Sequence, residues 1–299
     1  MAGVPVNGDS QTTVSKRHNL RKHKNISSRS KGEEDTNGEE DTNRKEPTMR
    51  PNTAKRKLRE GKPAIGIWMN FPSVVAAEAL AHVGWDWIVV DTEHGCIDLE
   101  TMQNMFIAIG TTPTIPMVRV PGNDPVAIKR VLDAGAYGVV VPMVLNAEQA
   151  ELAVKACRYP PLGIRSSGGG RWRYWAGPDY PRHANEEILC VVMIEHIEAV
   201  ERAEEILSVP GVDACFIGPN DLSWSMGLGG ARTAEHEAAI QRVLQAAKKC
   251  GVPAGIHCMN AEEVNRRIDE GFQFLACASD GAMLMSAATA AFNAIKKIE

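Results

Sequence analysis

The chain has 299 residues, 44% of them apolar, and a formal net charge of −4. There is enough apolar material for a large buried core, and the charge balance argues against nucleic acid as a partner of the whole chain. No apolar run is long enough to span a bilayer and no signal-like segment opens the chain, which points to a cytoplasmic protein with no membrane partner.

Seven cysteines, Cys96, Cys157, Cys190, Cys215, Cys250, Cys258 and Cys277, lack paired spacing and read as free thiols in a reducing compartment. Residues 1–54 read as a disordered charged tail. Its 15–31 stretch is rich in Lys, Arg, His and Ser, and 33–46 is acidic, around a repeated Gly-Glu-Glu-Asp-Thr-Asn. The basic stretch fits a nuclear signal, a nucleic-acid patch or a solvated charge run. Residues 55–299 then form one domain of the size of a barrel.

Ala64–Met69 is a first apolar strand, followed by an Ala-rich helix over 72–82. The second strand, Trp87-Ile88-Val89-Val90-Asp91, runs straight into Thr92-Glu93-His94-Gly95. A continuous apolar run suits a parallel strand covered on both faces, and ionisable residues at its end suit an active site at the mouth of an α/β fold. A helix over 98–109 is capped by Asp98. Strand three, 114–120, ends in Arg119-Val120-Pro121. Asp124-Pro125 opens the next helix, and Gly135 stops it.

Strand four is 138–142 and its helix 147–157. The 158–185 stretch reads as a long irregular segment, and its Gly168-Gly169-Gly170 as either an anion-holding nest or a flexible lid. Strand five, 188–195, ends in Glu195, with a helix over 199–207. Strand six, 212–217, is followed by Gly218-Pro219-Asn220-Asp221, and a helix over 233–250. Strand seven is 253–257, its helix 261–270; strand eight is 273–278 and the last helix 281–297. Eight strands alternating with helices predict a TIM (β/α)8 barrel. A doubly wound open sheet would want a Gly-rich phosphate turn after the first strand, where this chain has Trp-Met-Asn-Phe-Pro.

In such a barrel the strand ends Trp68, Asp91, Glu93, His94, Arg119, Glu195, Asp221 and His257 converge. Two carboxylates brought together repel, so Glu195 and Asp221 call for a proton or a hard, oxygen-loving cation, Mg²⁺ or Mn²⁺. Arg119 offers a planar, permanently charged fork for a small carboxylate or an enolate oxygen. His94 is a candidate general base. No lysine sits at a strand end, which argues against a Schiff base and for an enolate stabilised by metal.

These motifs, together with Leu132-Asp133-Ala134-Gly135-Ala136, Gly163-Ile164-Arg165-Ser166 and Gly218-Pro219-Asn220-Asp221-Leu222-Ser223, resemble the metal-dependent pyruvate aldolases of the HpcH/HpaI family, relatives of the citrate lyase β subunit and of macrophomate synthase. The resemblance covers nearly all of the chain after the tail. It implies a barrel of the phosphoenolpyruvate/pyruvate type and Glu195 and Asp221 as ligands of Mg²⁺ or Mn²⁺, with Co²⁺ also admitted. It makes Arg119 the stabiliser of the enolate, His94 the base and Asp133 the acidic partner of that histidine. Trp68, Asp91, Met193 and Asn220 fall in the substrate pocket. Met193 stands where the family often has glutamine, Asn220 where it often has alanine, and Ala278 where the last strand often has glycine.

The implied reaction is cleavage of 4-hydroxy-2-keto acids, such as 2-keto-3-deoxy sugar acids or 4-hydroxy-2-oxoheptanedioate, to pyruvate and an aldehyde. The alternatives are an oxaloacetate decarboxylase resembling macrophomate synthase and a CoA-ester lyase of the citrate lyase β type. A homohexamer, with the last helix packed on a neighbour, is the implied assembly.

Overall fold

The computed structural model describes residues 49–296. In chain order the elements are α1 (Thr53–Arg59), β1 (Ala64–Met69), α2 (Val74–Ala81), β2 (Trp87–Asp91), α3 (Leu99–Ile109), β3 (Ile115–Arg119), α4 (Pro125–Asp133), β4 (Gly138–Val141), α5 (Ala147–Cys157), α6 (Trp172–Trp175), α7 (Tyr180–Glu187) and β5 (Leu189–Met193). They continue with α8 (Ile197–Glu201), α9 (Ala203–Leu207), β6 (Ala214–Ile217), α10 (Pro219–Ser225), α11 (Ala234–Cys250), β7 (Ala254–Cys258), α12 (Ala261–Glu270), β8 (Phe274–Ser279) and α13 (Asp280–Ala294). The strands pair in sequence order, all parallel, and β8 closes on β1: the expected TIM barrel.

Local chemistry explains the boundaries. Asp98 accepts from the Thr101 amide and caps α3; Asp124 accepts from Val126 and Ala127 ahead of Pro125. Beyond α4, Gly135 takes a left-handed φ of 112°, the stop its sequence announced. The barrel interior is packed with side chains. Trp87 lies fully buried, stacked on Phe274 at 4.4 Å, and its Nε1 donates to the Ala64 carbonyl. Gly66 makes this possible, since a Cβ there would sit 2.1 Å from the Trp87 ring.

Four expectations change. Residues 49–54, assigned to the tail, belong to the barrel: Met49 is buried, Arg50 donates to the Gly110 and Thr112 carbonyls, and Asn52 caps α1. Residues 1–48 lie outside the described residues. The irregular 158–185 segment contains α6 and the start of α7, whose Trp172 and Tyr180 stack at 4.9 Å. The single helix read over 199–207 is two short ones, α8 and α9, that meet at Arg202. The loop read after β6 is a helix, α10, with Pro219 in its first turn.

At the closing seam, Gly66 faces Ala276 but Trp68 faces Ser279, so β8 bulges by one residue. Ala278 lies in this bulge at φ 60°, a backbone conformation that favours glycine. The bulge aims Asp280 back at β1, where its carboxylate accepts from the Asn70 and Phe71 amides at 3.0 Å each.

Candidate active site

The parallel register of β2 and β3 sets Asp91 beside Arg119. Arg119 Nε donates to Asp91 Oδ1 at 2.9 Å and Nη2 donates to Oδ2, while Nη1 stands 3.1 Å from Glu93 Oε2. Asp91 has no exposed surface. Its oxygens also accept from Asn70 Nδ2 (2.8 Å) and from the amides of Glu93 (3.1 Å) and His94 (3.3 Å). Burial works against ionising Asp91, but the bonds and charge of Arg119 outweigh it and hold the carboxyl below its usual range. Asp91, read as a substrate contact, lines the cavity at the barrel mouth, while its acceptors are taken by protein donors that make it position Arg119 and the His94 turn. Burial also raises the pKa of Glu93.

Across the mouth, Glu195 lies two residues beyond β5 and is 3% exposed. Its Oε1 accepts from the Met143 amide at 2.9 Å, and Met143 adopts φ 51° there. Oε2 is buried with no hydrogen-bond partner. A Cβ at Gly218 would approach that oxygen to 2.4 Å, so the cradle around it needs glycine. Desolvation pushes the Glu195 pKa up to about 7, and the Asp221 carboxylate in the first turn of α10 adds to the rise. A buried carboxylate with one orphaned oxygen, near a second carboxylate, fits a hard divalent cation. Among the described residues no group of three or more His, Cys, Asp or Glu has metal-holding geometry, so this pair would supply two protein ligands and leave the rest to water and substrate.

One cavity of about 460 Å³ joins Asp91, Arg119 and Asp221, and Glu195 lies just behind its Gly218. Trp68, Asp91, His94, Arg119, Met193, Asn220, Asp221 and His257 all line it, and no lysine does. Trp68 is 4% exposed, with Phe216 at 5.0 Å and the Arg119 guanidinium carbon 5.4 Å from its ring centroid. His94 stands open at the mouth, its Nε2 4.0 Å from Glu93 Oε2. Residues 168–170, read as nest or lid, do not line this cavity. The one deeply buried lysine among the described residues, Lys55, belongs to α1, at the other end of the barrel, where it pairs with Asp213 at 2.7 Å and donates to the Ile188 carbonyl. It is a bolt for α1 and no candidate Schiff base.

Asp133 does not join the cluster. It ends α4, and helices in this fold run antiparallel to the strands, so it lies at the end of the barrel opposite His94. There it pairs with Arg165 at 2.9 Å and borders a larger cavity, about 970 Å³, together with Gly170, Arg171 and Trp175. That cavity gathers no paired carboxylates. Sequence reasoning had His257 among the strand ends but passed over Asn70, Phe216 and Arg232, which also line the smaller cavity. Asn70 was visible at the end of β1; Arg232 sits in an irregular loop that announces nothing.

With this geometry the comparisons agree. The sequence profile of the HpcH/HpaI aldolase/citrate lyase family matches residues 64–287. The chain belongs to that family. The 4-hydroxy-2-oxo-heptane-1,7-dioate aldolase of Klebsiella pneumoniae is 42% identical over 245 residues, 80% of this chain and 92% of that one. The 2-dehydro-3,6-dideoxy-6-sulfogluconate aldolase of Pseudomonas putida is 40% identical over 244 residues, 80% and 95% of the two chains. Among solved structures, an HpcH/HpaI family protein from Burkholderia cenocepacia aligns with a TM-score of 0.78 at 34% identity, covering 81% of this chain and 98% of that one. The β5 and β6 ends that carry Glu195 and Asp221, and the β2 and β3 ends that carry Asp91 and Arg119, all fall inside the family match.

Proposed function

We propose that the protein is a divalent-metal-dependent aldolase that cleaves 4-hydroxy-2-keto acids to pyruvate and an aldehyde. The observation that carries this reading is the orphaned, buried oxygen of Glu195, packed against Gly218 at the edge of the cavity that Asp221 and Arg119 line. The named relatives, both aldolases, support it. Glu195 and Asp221 would hold the cation, Mg²⁺ or Mn²⁺. When bound, such a cation supplies a Lewis acid that draws electron density onto the substrate's keto oxygen.

The chain's own residues do the rest. Arg119 has five N–H groups, of which two bond Asp91; others can meet the oxygen on which charge develops. His94 takes the proton of the C4 hydroxyl. The C3–C4 electron pair then passes to the pyruvate half as the aldehyde carbonyl forms. Protonation at C3 completes pyruvate. Trp68, Met193 and Phe216, all at most 4% exposed, form apolar walls that limit water around the enolate.

The test is pyruvate release from 4-hydroxy-2-oxoheptanedioate and 2-keto-3-deoxy sugar acids, before and after chelation and with Mg²⁺ or Mn²⁺ restored, beside oxaloacetate. Turnover is expected to vanish on chelation and return with metal. Cleavage that survives chelation, or decarboxylation of oxaloacetate that outruns every aldol cleavage, would overturn the reading.

We further propose a homo-oligomer, a hexamer, built through α13. From Gly281 onward this helix has no buried residue, and Leu284 and Met285 are 59% and 63% exposed. Apolar side chains of that size on a terminal helix call for a cover, and a second copy supplies one. In one chain Asp133 lies out of reach of His94, so the role its resemblance gives it is open only between copies. Light scattering is expected to show an assembly that α13 truncation dissociates; a monomeric full chain would refute this.

A further inference from the structure

Closure of the barrel gives the mouth two opposed walls. β3 carries Arg119 and β7 carries His257, and four steps apart in a ring of eight they face each other across the cavity. Trp68 stands between them, its ring centroid 5.4 Å from the Arg119 guanidinium carbon and 6.1 Å from the His257 ring. On the β3 wall the charge is already matched, because Asp91 and Glu93 flank Arg119. Next to the β7 wall, on the connection between α10 and α11, it is not. Arg232 lines the same cavity and makes no ion pair or hydrogen bond among the described residues. Beside it, burial pushes His257 down to about 4, so that imidazole stays neutral near pH 7 and offers hydrogen bonds without a charge.

The backbone fixes Arg232 at this rim. Buried Ser223 donates from Oγ to the Ala231 carbonyl at 2.8 Å, just before Arg232. Just after it, Thr233 caps α11, and buried His236 reaches from that helix to the Pro219 carbonyl at 2.8 Å. Between these anchors Arg232, exposed and unpaired, borders a cavity whose 460 Å³ lies within the range that takes drug-sized ligands, far larger than pyruvate.

We propose that Arg232 selects the aldehyde half of the substrate by pairing with an anionic group, a carboxylate or a sulfonate, at the end remote from the keto acid, with His257 as the hydrogen-bonding wall beside it. This rests on the aldolase reading. A guanidinium fork matches either anion with two parallel N–H donors, which an ammonium does not. Arg119 and the carboxylate pair would hold the keto-acid end, and Arg232, further along the connection that begins with Asp221, the remote one.

The experiment runs the reaction in the direction of addition, with the full chain, Mn²⁺ and pyruvate. The aldehydes are succinic semialdehyde, 3-sulfopropanal and neutral butanal. The wild type is expected to favour one or both anionic aldehydes, and which of the two it favours tells carboxylate from sulfonate. In Arg232→Ala the ratio of kcat/KM for the preferred anionic aldehyde over butanal should fall roughly 10- to 100-fold, mainly through KM. Arg232→Lys should recover part of it. Deuterium exchange at C3 of pyruvate by the wild type, without aldehyde, reports enolate formation alone. A wild type that exchanges no deuterium overturns the aldolase reading and this proposal with it. A wild type that exchanges, with an Arg232→Ala variant whose ratio is unchanged, overturns this proposal alone.

Discussion

Glu195→Gln is expected to abolish divalent-cation binding and to lower turnover on the order of a thousandfold or more. Glutamine keeps an oxygen to accept from the Met143 amide, now 2.9 Å from Oε1, so the loop after β4 keeps its anchor at the strained φ of 51°. What it loses is charge, and a neutral amide is a poor ligand for a hard cation. Glu195→Ala differs: it leaves the Met143 amide unpaired, at about 1–3 kcal/mol. It also removes a buried carboxylate whose pKa desolvation has pushed up to about 7, which offsets part of that loss. The metal-free Gln variant should thus match or exceed the wild type in Tm, and the Ala variant should fall below the Gln variant. Asp221→Ala has no such anchor to lose and should remove metal binding with the fold intact. Titration calorimetry with Mn²⁺ decides: unchanged binding in Glu195→Gln or Asp221→Ala would show that the pair is not the metal site.

What could be seen in the sequence tracks how local its causes are. Caps, glycine stops and continuous apolar strands depend on a few neighbouring residues, and α3, α4, α5 and α12 lie within a residue or two of where those signals put them. The strand ends followed from the barrel, because parallel closure sends every C-terminal end to one mouth. Misreadings came where distant contacts decide. Helix α1 is highly charged, TAKRKLR, and is held by Asn52, which donates to the Tyr137 and Glu187 carbonyls, and by Lys55 on Asp213. Trp172 and Tyr180 order the 170s by stacking, which no spacing reveals. Asp91 illustrates the same limit inside the site. Its place at a strand end announces a functional carboxylate, but only the register with β3 and the turn behind it show that protein donors occupy its acceptors. Asp133 shows the reverse, a residue assigned by resemblance that the helix direction carries away from the mouth.

Arg119→Ala is expected to damage both fold and activity, which separates it from the metal-site variants. The guanidinium is 9% exposed and compensates Asp91, which is fully buried, and Glu93, whose side chain is 19% exposed. Removing it strands a buried charge, a change that typically costs about 3–5 kcal/mol. Asn70 and two backbone amides would still bond Asp91, so the loss should sit at the low end of that range. Activity should fall by roughly 10²–10³ or more, the cost of removing a donor aimed at developing negative charge. Arg119→Lys distinguishes the two roles. An ammonium restores a positive charge between the carboxylates and should recover much of the Tm. It cannot reproduce the fork that serves Asp91 through Nε and Nη2 and still has N–H groups for substrate, so kcat should stay low. Metal affinity should change little in either variant, since Glu195 just beyond β5 and Asp221 in α10 keep their places. Thermal unfolding, Mn²⁺ titration and pyruvate release on the same preparations check all three expectations. An Arg119→Lys variant with wild-type kcat would show that charge alone suffices and that the paired geometry with Asp91 has no part in the chemistry.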